Sequence, residues 1–129
     1  VKVLVENHTG YTTTPAAVAE IVRKVDHPFC RSLADWGNSA GDTTSERIAD
    51  LALLFPTLAL VSAKGIAFDT AYRHVGYDIA PLVKASEAAG FRGIYSVELY
   101  PARGSMPPPD ALLAARSLVA TIAQAIGTG

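Results

Sequence analysis

Residues 58–64, LALVSAK, then 78–90, DIAPLVKASEAAG, then 94–98, IYSVE, read as strand, helix and strand. The two outer segments are short apolar runs, and each closes on a charged residue, Lys64 or Glu98. Between them Ile79, Leu82 and Val83 recur at helical spacing. Asp78 stands at the N-cap, and Gly90 stands where a left-handed residue closes a helix. Two strands joined through a helix pair in parallel, with a right-handed crossover.

The pattern extends outward from this unit. Upstream, Phe29 to Ala34 forms an apolar run interrupted by Arg31 and Ser32, and it ends at Asp35. A turn-rich stretch from Gly37 to Asp42 leads to Thr43-Thr44-Ser45-Glu46, which has capping-box spacing. Ile48, Leu51, Ala52 and Phe55 then mark a helical face, and Pro56 is expected to end it. Further upstream, Val1 to Val5 is a strand ending at Glu6. Thr14 and Pro15 open a helix with Val18, Ile21, Val22 and Val25 on one face, stopped by Asp26-His27-Pro28. Downstream, a loop from Gly65 to Tyr77 follows the third strand, and a proline-rich loop from Tyr100 to Pro109 follows the fourth. Asp110 is expected to cap a last helix with Leu112, Ala115, Leu118, Val119 and Ile122 facing inward.

Four strand–helix units in succession predict an α/β fold with parallel strands apolar on both faces. The strand ends fall at positions 6, 35, 64 and 98, one unit apart each time. A closed (βα)8 barrel takes about 250 residues, and this chain has 129. The expected architecture is therefore half of a (βα)8 barrel, with residues 1–129 as a single unit. Four parallel strands alone leave open edges and one uncovered sheet face. Either an N-terminal half absent from this chain or a second copy is expected to complete the barrel. Val1 already stands inside a strand-like run, which points to a processed chain or an excised fragment. A small open doubly wound sheet is the alternative, but no Gly-rich phosphate loop follows the first strand.

Composition narrows the function. Half of the residues are apolar and 18% are charged, with a mean hydropathy of +0.25, which excludes a disordered chain. Eleven basic residues against twelve acidic ones argue against nucleic acid or an anionic membrane as partner. No run approaches the roughly 18 apolar residues of a membrane span, and no secretory signal is visible. The single cysteine, Cys30, reads as a small core residue and fits a reducing, cytoplasmic setting.

In parallel α/β folds the chemistry gathers at the carboxyl ends of the strands. Here those ends carry Glu6, Asp35, Lys64 and Glu98. A lone strand-end acid is ordinarily a solvated charge, but three in one register point to a shared site. Carboxylates facing one pocket repel each other, and a divalent cation is the usual remedy. An oxygen-only set suits Mg²⁺ or Mn²⁺ better than Zn²⁺. Five further residues are candidates for substrate contact. His8 follows Glu6 by two positions, Asn38 belongs to the turn after Asp35, and Lys64 is suited to an enolate oxygen or a hydroxyl. Trp36 could form an apolar wall, and Arg103 could hold a phosphate or carboxylate. Their plainer readings are a loop histidine, turn chemistry, a strand-end ion pair, core packing and a solvated charge.

Val5-Glu6-Asn7-His8, Asp35-Trp36-Gly37-Asn38, Ala63-Lys64, and Gly90-Phe91-Arg92-Gly93 leading to Ser96-Val97-Glu98 occur in this order along nearly the whole chain. The ordered set resembles the last four strands of the xylose isomerase-like TIM-barrel family, which includes sugar and sugar-phosphate isomerases, epimerases and inosose dehydratases. The resemblance implies strands 5–8 of a barrel. It also implies one divalent metal held by Glu6, Asp35 and Glu98, with Glu6 and Glu98 as the acid–base pair. The expected activity is metal-dependent isomerisation or epimerisation of a small sugar or hydroxyketone. One alternative is a degenerate or truncated barrel that binds a sugar-like ligand or assembles without catalysis, and another is an inosose-type dehydratase. The chain departs from the family on the third strand. Ser62 stands where a metal-binding His is usual, Leu60 where another His is common, and Gly65 where an Asp often follows the lysine. The endonuclease relatives sharing the barrel need a histidine-rich zinc site, and only three His are present.

Overall fold

A computed structural model describes residues 1–100 and 108–127. The elements alternate as expected: β1 (Val3–Glu6), α1 (Pro15–Val25), β2 (Cys30–Asp35), α2 (Thr44–Leu51), β3 (Leu58–Gly65), α3 (Ile79–Ala88), β4 (Ile94–Leu99) and α4 (Pro108–Ile126). The four strands form one parallel sheet in the order β1-β2-β3-β4. This is the half-barrel arrangement of four consecutive βα units. Among the described residues no helix is long and apolar enough to cross a membrane.

The local signals act much as their chemistry dictates. Thr14 accepts a hydrogen bond from the Ala17 N–H ahead of Pro15. Thr43 and Glu46 exchange both bonds of a capping box. Gly90 has φ +90°, a conformation that favours glycine. Four expectations need correction. Helix α2 does not run to Pro56; after Leu51 it tightens into a 3₁₀ segment, Ala52–Thr57, which contains that proline. With three residues per turn, Leu54 follows Leu51 into the core, and both are fully buried. Asp78 sits at the N-cap of α3 without capping it, because its carboxylate accepts from Thr44 Oγ1. Asp110 lies inside the first turn of α4, and its carboxylate accepts from the Tyr72 hydroxyl. Helix α4 buries Leu118 and Ile122 as expected, together with Ala114, whereas Leu112 and Val119, expected inward, are exposed.

Register decides which side chains share a face. Paired residues in a parallel ladder point the same way, and side chains alternate along each strand. Val5, Ala34, Val61, Ala63, Tyr95 and Val97 lie toward the helices and join the core built on Val18, Val22, Leu51, Leu54, Leu82 and Leu118. The opposite face holds Glu6, Leu33, Asp35, Leu60, Ser62, Lys64, Ser96 and Glu98. A bulge between β2 and β3 makes this possible. Ser32 pairs with Leu58, but Leu33 pairs with Leu60, so one residue of β3 is skipped. The skip puts Ser62 opposite Asp35 and turns Lys64 toward the acids. Isolated edges remain at β1 and β4 among the described residues.

Candidate active site

Glu6, Asp35 and Glu98 converge. Each offers a carboxylate oxygen, and these lie within 4.8 Å of one another. Asp35 is fully buried. Charge of that kind needs partners in a low-dielectric setting. Asp35 has several: Oδ2 accepts from Lys64 Nζ at 2.8 Å and from Asn38 Nδ2 at 2.7 Å, and Oδ1 accepts from the Asn38 N–H at 3.1 Å. Lys64 also reaches Glu98 Oε1 at 3.2 Å and Asn38 Oδ1 at 3.2 Å. Ser62 Oγ donates to the other Glu98 oxygen at 3.0 Å.

The strand ends are stitched together by amides. Asn7 is fully buried. Its Nδ2 donates to the Asp35 carbonyl and its Oδ1 accepts from the Asp35 N–H, both at 2.8 Å. One side chain thus replaces a strand residue and continues the β1–β2 ladder past Glu6. Asn38 Nδ2 closes the link by donating to the Asn7 carbonyl at 3.0 Å. The loop after β2 is anchored from behind by Arg47, which donates to the carbonyls of Trp36, Ser39 and Gly41. Gly37 leaves room for the lysine: a Cβ there would meet the Lys64 side chain at 2.9 Å. The Tyr77 hydroxyl donates to the Lys64 carbonyl at 2.5 Å.

The electrostatics follow from this crowding. Burial, and after it the neighbouring Asp35 charge, raises the Glu6 carboxyl above the ordinary range. Burial alone would lower the Lys64 ammonium, but its bonds to Asp35 and Glu98 outweigh that and hold it above 10.5. Lys64 therefore stays cationic and offsets one of three clustered negative charges. The remaining excess sits on carboxylate oxygens close enough together to hold a metal ion.

Each residue singled out from the sequence has a definite place. Glu6, Asp35, Glu98, Lys64 and Asn38 come together. His8 is exposed, Nδ1 near Thr9 Oγ1 at 3.3 Å, close enough for its charge to act on Glu6. Trp36 is not a wall of the site. It is fully buried in the helix-side core against Tyr95, because it follows Asp35 and so points to the other face. Arg103 lies outside the described residues. His74 is half-buried between Phe68 and Tyr77, and Nδ1 faces the Tyr77 carbonyl. Asn7, Arg47 and Tyr77 were not foreseen. Asn7 alone carried a signal, as a polar residue directly after an acidic strand end.

No curated protein matches the chain. The family model of the xylose isomerase-like TIM barrel matches residues 1–121 of the 129, and the chain belongs to that family.

Proposed function

We propose that the convergent carboxylates form the acid–base and metal-binding centre of an isomerase or epimerase acting on a small sugar or related hydroxyketone. The observation that carries this is the approach of Glu6, Asp35 and Glu98 to within 4.8 Å beside a buried lysine. Charge is gathered here at a local cost to the fold, as happens at functional sites. Glu6, Asp35 and Glu98 would hold the divalent ion, which when bound polarises a carbonyl and an adjacent hydroxyl. Glu6 then serves one side of the reacting carbon. Glu98, two-fifths exposed and oriented by Ser62 and Lys64, returns a proton at the other face or the next carbon. Lys64 presents a fixed positive charge for developing negative charge on a substrate oxygen. Asn38 keeps Asp35 and Lys64 in register.

A second reading, a binding module without catalysis, draws support from Ser62. Its hydroxyl bonds to Glu98 where the family's imidazole ligand would stand. Loss of water in place of proton return would give a dehydratase from the same carboxylates.

Two measurements separate these outcomes. Mn²⁺ titration followed by electron paramagnetic resonance should show stoichiometric binding that Glu6→Gln and Glu98→Gln weaken. Ketoses incubated in D₂O should exchange the C–H next to their carbonyl in the presence of the protein, but not with Glu6→Gln. Metal binding without exchange supports the binding module, and absence of both removes the proposal.

A further inference from the structure

The sheet face that carries the carboxylates also presents an exposed aromatic ring. Side chains alternate along a strand, so Ser96, Glu98 and Tyr100 share one face. Tyr100 lies just beyond β4, and its N–H still donates to the Gly65 carbonyl at 2.8 Å, which carries strand geometry past Leu99. The residue is 65% exposed, and its ring centroid is 5.3 Å from Lys64 Nζ. The ring is thus held in the open beside a buried ammonium.

We propose that Tyr100 is the stacking platform of the substrate site and restricts it to polyhydroxylated chains or rings of more than three carbons. This deepens the isomerase reading and rests on it. The C–H face of a sugar is weakly positive and apolar, and it suits the electron-rich face of an aromatic ring. Hydroxyls at the edge of such a molecule stay free for Glu98, whose side chain is two-fifths exposed. Residues two apart on a strand are separated by about 6.6 Å. A three-carbon hydroxyketone engaged at Glu98 is too short to cover the ring as well, whereas a pentulose spans both.

The test uses D-xylulose and dihydroxyacetone as probes, with Mg²⁺ present and affinity read by ligand-observed NMR. Tyr100→Ala should weaken D-xylulose by about fivefold, as loss of one aromatic contact implies. Tyr100→Phe should keep the affinity, and dihydroxyacetone should be indifferent to both changes. Mn²⁺ affinity should be the same in all three proteins, which shows that the centre is intact. Wild-type affinity for D-xylulose in Tyr100→Ala overturns the platform, as does failure of the wild type to bind D-xylulose. If the wild type binds no Mn²⁺ while Tyr100→Ala still loses D-xylulose, the metal-centre reading fails and the platform stands.

Discussion

Lys64 Nζ lies 2.8 Å from Asp35 Oδ2, and the two side chains are 4% and 0% exposed. A buried pair of this kind is weak evidence for stability as a whole, but it is costly to break from one side. Lys64→Met should lower unfolding free energy in urea by about 3–5 kcal/mol, because Asp35 is left charged and uncompensated. The double change Lys64→Met with Asp35→Asn should recover a good part of that loss. Additive losses in the double-mutant cycle would show that the pair is not coupled.

Gly37 exists for Lys64. A methyl group there would press on the lysine stem at 2.9 Å, and overpacking in close-packed surroundings costs about 1–3 kcal/mol. Gly37→Ala should therefore destabilise the fold by that amount. Combined with Lys64→Ala, which removes the obstructing Cγ and Cδ but keeps Cβ, the same change should cost less than it does beside the full lysine.

Asn7 holds both main-chain polar groups of Asp35. Asn7→Ala orphans a buried N–H and a buried carbonyl, each worth about 1–3 kcal/mol when left unpaired. Chemical denaturation should register a loss of at least that size. Mn²⁺ affinity should fall with it, since Glu6 and Asp35 lose their fixed spacing. A variant as stable as the wild type would show that the amide bonds contribute nothing.

Ser62 faces Glu98 from the position of the family's imidazole. Ser62→His adds a nitrogen donor to an all-oxygen set. Mn²⁺ affinity should rise on the order of tenfold, an amount equal to about 1.4 kcal/mol. Unchanged or weaker binding would place any bound metal away from β3.

His74 gives the pH dependence. Burial lowers its proton affinity in the folded chain below 6.5. Protons then bind the unfolded chain more readily, so its contribution is fully present above pH 6.5 and is lost as the pH falls below that. Between pH 8 and pH 5 the wild type should lose more stability than His74→Phe, measured by urea midpoint. Parallel losses would assign the acid sensitivity to other groups.

The alternation of strands and helices was legible because apolar period and turn chemistry act locally. The convergence of Glu6, Asp35 and Glu98 was legible for the same reason, since each acid closes a strand. Two things lay beyond the sequence. The bulge beside Ser32 is a property of pairing, yet it sets Ser62 opposite Asp35. Face assignment next to a strand end also misled: Trp36 is adjacent to Asp35 in sequence and opposite to it in space. Asp78 and Asp110 satisfy capping statistics, but Thr44 and Tyr72 from distant segments claim their carboxylates. No local rule anticipates such competition.

Arg47 contributes nothing to the carboxylate cluster itself, yet it grips three carbonyls of the loop that bears Asn38. Lysine has neither the planar fork nor the donor count to replace it. Much of the loop's carbonyl bonding thus runs through one side chain, set in a helix on the far side of the sheet. Evolutionary drift at that remote position would loosen the loop while leaving every carboxylate of the cluster in place.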